Sequence, residues 1–256
     1  MCDCGRSGLM QAFEVANLLV ENAQTKTLLF KGRLENATPG QFVMAWLPGV
    51  GEKPFSIAAA VPLALTVSDV GAVSHALNEI KVGEKVWIRG PFGRGYHLVG
   101  EKHLLIGGGY GAAPLAYLAK EAHKLGHRVS VCLGAKAAPE LLMERRLRDK
   151  GGLLRVATED GSKGIKGLVT EITEQAIVED KPDCVYACGP TRMLMAVAQI
   201  CKRYNLPCQL SFEALMRCGV GLCGSCELPE ALCKQVGLES GWLACHVGPV
   251  AMLSAL

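Results

Sequence analysis

The residues best suited to chemistry are cysteines. Five of the twelve lie between Cys218 and Cys245, and three of these share one short run, Cys218-Gly-Val-Gly-Leu-Cys223-Gly-Ser-Cys226. The spacing C-x4-C-x2-C with a distant fourth cysteine is that of plant-type [2Fe-2S] sites. Gly219, Gly221 and Gly224 let such a loop take positive φ, wrap closely around a cluster and aim N–H groups at its sulfurs. Four thiolates also suit structural zinc, but zinc ribbons place their cysteines as two CxxC pairs, so the spacing favours [2Fe-2S]. Cys245 is preferred as fourth ligand because the turn Gly248-Pro249 follows it, and Cys233, in the helical-looking ALCKQV, is its rival.

A second group could hold phosphate. Leu104-Leu-Ile-Gly107-Gly108-Gly109-Tyr110-Gly111-Ala-Ala-Pro114 runs from an apolar strand through glycines into a helix, whose N-terminus favours a dinucleotide pyrophosphate. Cys188-Gly189-Pro190 ends a later strand of the same pattern, and ligands of such sheets bind beyond the carboxyl ends of the strands, so both segments are expected to face one crevice. The acidic residue expected near the end of the next strand is missing, and Ala135-Lys136 stands there, which leaves NAD and NADP undecided. A third group, Lys53-Pro54-Phe55-Ser56-Ile57 with Gly71-Ala-Val73-Ser74 at a helix start, offers a cation, a hydroxyl and a helix N-terminus suited to a diphosphate and a flavin edge. Lone residues of these types are more often a solvated loop cation and an ordinary helix-start hydroxyl.

The elements that must position these groups fall into three parts. Residues 1–99 alternate short apolar runs (FEVANLLV, KTLLFKG, GQFVMAWLPG, LALTV, EKVWIRG) with turn residues, the pattern of an antiparallel β-barrel, interrupted by one helix from Val73 to Ile80. Residues 100–206 alternate strand and helix, with the near-continuous apolar runs HLLIGGG, RVSVCLG, LLRVAT and DCVYACG expected as a doubly wound parallel sheet. Leu115, Leu118, Ala119, Ala122 and Leu125 form one helical face for that sheet. Residues 207–256 are Cys- and Gly-rich, with a short helix expected from Ser211 to Met216. The expected fold class is therefore α+β multidomain.

Half of the 256 residues are hydrophobic and 20% are charged, enough for a core without disulfides. The net charge of +3 is spread along the chain, which argues against nucleic acid as a partner. Met1-Cys2-Asp3-Cys4-Gly5-Arg6 lacks a secretory pattern, no apolar stretch reaches the length of a spanning helix, and a cytoplasmic, non-membrane protein is expected. In a reducing compartment, clustered cysteines point to metal or redox chemistry.

Taken in order, KPFSI, GAVS, VWIRGPFGRGY, LLIGGGYGAAP, ATEDGSKGIKG, VYACGPTRML, FEALMRCGVGLCGSC and ACHVGPV resemble the ferredoxin reductase superfamily over essentially the whole chain. More narrowly, they are similar to the electron transfer subunits of dihydroorotate dehydrogenase B. The resemblance implies FAD contacts from Lys53, Pro54, Phe55 and Ser56, with Ser56 facing the flavin, from the backbone at Thr66, Val67 and Ser68, and from Gly71, Val73 and Ser74 at the pyrophosphate. Lys53 replaces the family's arginine, keeping charge but losing a bidentate donor, and Val73-Ser74 replaces its Gly-Thr. Gly107, Gly108, Gly109, Gly111, Cys188, Gly189 and Pro190 would meet NAD or NADP. The cluster ligands would be Cys218, Cys223, Cys226 and Cys245.

The implied function is a relay in which FAD trades hydride with the nicotinamide and single electrons with the cluster. Its partner would be an FMN-containing subunit that oxidises dihydroorotate to orotate, in a heterotetramer. The apolar end Val250-Ala-Met252-Leu253-Ser-Ala-Leu256 is either a contact surface or a tail packed on the chain's own barrel. Two other functions compete: the flavin subunit of a ferredoxin:NADP transhydrogenase, sulfide dehydrogenase or hydrogenase, and a zinc-stapled nucleotide-binding scaffold. No general acid or base is expected.

Overall fold

The computed structural model describes residues 9–148 and 153–253. Cys2 and Cys4 and the tail residues 254–256 lie outside the described residues.

The first part folds into β1 (Gln11–Asn22), β2 (Thr25–Phe30), β3 (Phe42–Leu47), β4 (Gly51–Ala60), β5 (Leu63–Ser68), helix α1 (Ala72–Asn78) and β6 (Lys85–Phe92). The strands close into a barrel in the order β1-β2-β5-β4-β3-β6, all neighbours antiparallel. Period-two alternation sets the faces. Val43, Ala45, Ile57, Leu65, Val86 and Ile88 point into the barrel, and Val73 and Leu77 of α1 join that core. Phe42 and Met44 point outward yet are buried, because later parts of the chain cover that wall. A register shift in the β3–β6 ladder turns Phe92 to the same outer face, opposite Phe42. β4 is not among the apolar runs of the sequence. Glu52, Lys53 and Pro54 break its pattern, and pairing with β3 from Phe42↔Ser56 to Leu47↔Gly51 makes it a strand.

The second part supplies β7 (Lys102–Gly108), α2 (Ala112–Lys124), β8 (Arg128–Ala135), α3 (Glu144–Arg148), β9 (Leu153–Thr158), β10 (Ile165–Lys166), α4 (Val169–Asp180), β11 (Cys184–Cys188) and α5 (Thr191–Arg203). Then come β12 (Cys208–Ser211), α6 (Glu230–Val236) and β13 (Val250–Leu253). One seven-stranded sheet runs β10-β9-β8-β7-β11-β12-β13, parallel except for β13. Leu105, Val131 and Tyr186 face α2, while Leu104, Ile106, Val185 and Ala187 face α4 and α5. Leu115, Leu118, Ala119 and Ala122 form the buried face of α2. Leu125 does not share it: the helix ends at Lys124, and Leu125 is exposed.

The helix expected from Ser211 to Met216 is absent. Ser211 is instead the last residue of β12, paired with Cys188, and the Phe212 N–H bonds the Pro249 carbonyl at 2.9 Å while its ring packs edge-on to Trp242. Sheet pairing overrides the local helical pattern there. Of the apolar end, Val250–Leu253 packs on the sheet rather than as a tail on the barrel: Val250 and Ala251 are buried in β13 against β12, and Met252 is half-exposed. Among the described residues no helix is long and apolar enough to cross a membrane.

Tyr117 of α2 locks the sheet to the barrel, its ring buried in the barrel core and its hydroxyl donating to the Ala37 carbonyl at 2.9 Å. Tyr117→Phe leaves that carbonyl without its partner and is expected to cost about 1 kcal/mol, read from the urea midpoint at constant m-value.

At the other end of β7, His103 is 2% exposed; its Nε2 meets His127 Nδ1 at 2.9 Å and its Nδ1 has no partner. Burial, then the neighbouring His127, push its pKa down to about 4 against an opposing pull from Asp183. The unfolded chain therefore takes up a proton near pH 6.5 that the native chain refuses until about pH 4, so stability is full above that window and is lost as pH falls through it. Denaturation midpoints should report a loss of about 2 kcal/mol between pH 7 and 5, and His103→Gln should flatten that slope.

Candidate functional site

The cysteine loop lies on the outer barrel wall. Gly219 has φ 76°, open to glycine at little cost, and a Cβ there would stand 3.0 Å from Met44 Cγ. The thiols come together as two pairs. Cys226 Sγ and Cys245 Sγ are 3.1 Å apart and buried, while Cys218 and Cys223 lie within bonding reach of each other nearer the surface. Backbone N–H groups point at the sulfurs, from Val220 to Cys218 at 3.4 Å, Gly221 to Cys245 at 3.1 Å and Cys245 to Cys226 at 3.4 Å. The Ser225 hydroxyl and N–H lower the Cys223 thiol to about 6. Burial works to raise Cys218, and the N–H groups of Val220 and Cys223 outweigh it and lower it. Burial, then Cys226, hold Cys245 up at about 12. A buried thiol pair of that kind ionises when a metal cation compensates the charge.

Among the described residues no three His, Cys, Asp or Glu groups converge on a point that a single metal ion could occupy. Donors arranged as two pairs fit two adjacent metal ions with two thiolates each. Cys233 stands apart: it is fully buried on α6 with its sulfur 3.8 Å from the Leu228 carbonyl.

The glycine turn and Cys188-Gly189-Pro190 are brought side by side at the carboxyl ends of β7 and β11. A Cβ on Gly111 would lie 2.3 Å from the Cys188 carbonyl oxygen and 2.8 Å from the Gly189 nitrogen, so only glycine permits this approach. Gly109 has φ 54° and nothing within 4 Å on its Cβ side, which leaves the turn open where α2 begins. The Cys188 thiol is pushed up to about 12, first by burial, with Ser211 opposing, and is therefore neutral. Two residues not singled out in the sequence span this crevice, the Tyr110 hydroxyl bonding Glu213 Oε2 at 3.1 Å. An acidic turn also reaches the end of β8: the Glu159 and Asp160 N–H groups bond the carbonyls of Ala135 and Lys136, both at 3.1 Å. Asp160 is held low by the Ser162 hydroxyl and N–H.

The barrel residues divide by what their side chains already do. Lys53 and Ser56 are exposed on β4, and Pro54 and Phe55 are half-buried. Lys53 lies two residues from Gly51 on the face where Gly51 meets Val73 of α1, so it stands toward the start of that helix. Val73 itself is buried in the barrel core. The Ser74 hydroxyl accepts from the N–H groups of Val70 and Gly71 at 3.0 and 2.9 Å and donates to the Gly71 carbonyl. The hydroxyls of Thr66 and Ser68 pair with those of Thr27 and Thr25, and the Val67 carbonyl accepts from Asn78. Backbone groups, Lys53 and Ser56 remain to meet a ligand.

β4 ties the three places together. α2, which begins at the glycine turn, packs against it, and its Ser56 is paired with Phe42, whose ring meets Phe92 at 5.9 Å on the wall under Gly219.

A model of the oxidoreductase NAD-binding domain matches residues 105–199. The chain is 39% identical over 212 residues, 83% of its length and 78% of the relative's, to the probable dihydroorotate dehydrogenase B (NAD(+)), electron transfer subunit, of Methanocaldococcus jannaschii. The counterpart from Thermococcus kodakarensis is 40% identical over 228 residues, 88% of each chain. Among solved structures, a chain of an NADH-dependent reduced ferredoxin-NADP oxidoreductase, described for flavin-based electron bifurcation, superposes with a TM-score of 0.80 at 26% identity, covering 94% of this chain and 87% of that one. The flavohaem-like FAD/NAD-binding domain of a Vibrio cholerae nitric oxide dioxygenase shares the fold, with a TM-score of 0.67 at 22% identity and 78% of this chain covered against 95% of that one.

Proposed function

Because the chain belongs to the family of dihydroorotate dehydrogenase B electron transfer subunits, we propose that it relays electrons between NAD and a partner subunit that oxidises dihydroorotate to orotate. Residues 1–99 hold FAD, residues 100–206 receive NAD, and residues 207–256 carry one [2Fe-2S] cluster. A flavin joins the other two because it exchanges a hydride with nicotinamide and single electrons with an iron–sulfur centre. The partner carries FMN and assembles with this chain as a heterotetramer.

The observation that carries the reading is the shared β4 wall, with Ser56 one rung from the aromatic pair under the cysteine loop and α2 packed against the same strand. Lys53 and the backbone at Gly71 to Ser74 bind the diphosphate of FAD, Ser56 faces the flavin edge, and the backbone of Thr66 to Ser68 borders it. Gly107 to Gly111 and the first turn of α2 bind the dinucleotide pyrophosphate, with Cys188, Gly189 and Pro190 closing the crevice as neutral groups. The acidic Glu159-Asp160 turn, bonded to the end of β8, is a group that accepts from a free ribose hydroxyl and repels a 2′-phosphate, which supports NAD over NADP. The thiolates of Cys218 and Cys223 hold one iron and those of Cys226 and Cys245 the other.

The test is a visible spectrum of anaerobically purified chain with iron, zinc and acid-released flavin measured on the same sample. Flavin bands over an iron–sulfur shoulder, with about two irons and one FAD per chain, are expected; a colourless chain carrying zinc would sink the relay in favour of a scaffold. The 0.80 superposition favours one second reading, the flavin subunit of a ferredoxin:NADP transhydrogenase. Dihydroorotate-driven reduction of NAD by the purified complex separates the two.

A further inference from the structure

The barrel wall under the cysteine loop carries a charged pair that none of these sites uses. Arg89 of β6 lies across the ladder from Met44, and Glu52 of β4 lies across from Trp46. Arg89 Nε and Nη2 donate to the two carboxylate oxygens of Glu52 at 2.7 and 2.8 Å, and the side chains are only 18% and 23% exposed. The guanidinium sits over the Phe92 ring, 5.4 Å from its centroid. Gly219 packs on that same ring and on Met44, at 3.6 and 3.0 Å from where its Cβ would be. The cation thus shares the Phe92 ring with the residue that follows Cys218, close enough for a charge at Cys218 to act on it. Glu52 lies at the other end of the pair, toward Gly51 and the turn between β3 and β4.

A partly buried ion pair contributes little net stability, because desolvation offsets most of its attraction. What it does supply is a fixed field of known sign. Reduction of a centre bound at Cys218 adds one negative charge, which a neighbouring cation favours and a neighbouring carboxylate opposes.

We propose that Arg89 and Glu52 are positioning residues that set the reduction potential of the centre held at Cys218: Arg89 favours the reduced form, and Glu52 holds the guanidinium over Phe92 and limits its effect. This rests on the iron–sulfur reading of the four cysteines. The pair touches no ligand atom in this role and acts through the field alone.

The experiment is an anaerobic redox titration of the full chain, with dithionite supplying the electron and the reduced cluster followed by electron paramagnetic resonance. Glu52→Gln is expected to raise the midpoint, because the cation is left unopposed, and Arg89→Gln to lower it, because a carboxylate is left behind. Each shift should be on the order of tenfold in the oxidised-to-reduced ratio at fixed ambient potential, or 59 mV for a one-electron couple. The double variant should return close to the wild-type midpoint, and Arg89→Lys, which keeps the charge, should stay near it. Where Arg89→Gln fails to fold, Glu52→Gln against Arg89→Lys decides, as raised against unchanged. Midpoints that do not move while iron content stays normal overturn the proposal, and so do shifts of the same sign in both single variants, the mark of a merely structural disturbance. A wild-type chain without iron overturns instead the cluster reading beneath it.

Discussion

Cys226→Ser is expected to reduce bound iron from about two per chain to near zero and to abolish the iron–sulfur absorption, while FAD stays bound. Cys226 is 1% exposed, 3.1 Å from Cys245 Sγ, and accepts the Cys245 N–H. Removing it leaves one thiol of the buried pair, too few to hold the iron proposed there. The flavin contacts proposed above, on β4, β5 and the start of α1, use none of these thiols, and the barrel core has its own apolar cluster. Cys233→Ser is the control, since its sulfur faces the Leu228 carbonyl on α6. It should keep its iron and lose only about 1–2 kcal/mol of stability for a hydroxyl in an apolar site. Iron assay and visible spectra on both variants decide the matter: iron retained by Cys226→Ser would remove Cys226 from the ligand set, and iron lost from Cys233→Ser would make Cys233 a ligand in place of Cys245.

The second large effect lies at Gly111. An alanine methyl there meets the Cys188 carbonyl oxygen at 2.3 Å, its carbon at 2.5 Å and the Gly189 nitrogen at 2.8 Å, all backbone atoms at the end of β11. No side chain can swing away, so the turn after β7 and the end of β11 must part. Gly111→Ala is expected to cost about 2–3 kcal/mol of stability. It should also weaken NADH binding on the order of 100-fold, the loss expected when pyrophosphate contacts no longer share one crevice. Gly109→Ala changes the same turn without a clash: its φ of 54° alone is strained, for about 1 kcal/mol, and β11 stays in place. Calorimetric titration of NADH against the two variants should separate them by more than tenfold. Equal affinities would mean that the crevice does not receive the pyrophosphate.

How far the sequence revealed this arrangement depends on the range of the interactions involved. The glycine turn, Cys188-Gly189-Pro190 and the cysteine loop declare themselves because local geometry demands their residue types, and the parallel strands stand out as apolar runs. β4 did not stand out, because its strand character comes from pairing with β3 while its own pattern is broken by Lys53 and Pro54. The Ser211 to Met216 stretch reads as a helix locally, and its real conformation is imposed by Cys188 on one side and Pro249 on the other. Ser74, Thr66 and Ser68 have hydroxyls of the right kind for a ligand, but the fold spends them on Gly71, Thr27 and Thr25, which no spacing rule discloses. The contacts of Arg89 with Glu52 and of Gly219 with Met44 join strands and a loop far apart in the chain, and only the closed barrel brings them together.

The ladder between β12 and β13 begins at Ser211↔Val250, so the two ends of residues 212–249 leave the sheet as neighbours, about one strand spacing apart. The cysteine-rich segment is therefore a cassette inserted between two paired strands rather than an appendage beyond them. An ancestor could gain or discard it without disturbing the register of either flanking strand. The barrel would record the exchange most plainly: Phe42, Met44 and Phe92 are buried in one cluster with residues of the cassette, and polar side chains at those three positions would mark a lineage that never had it.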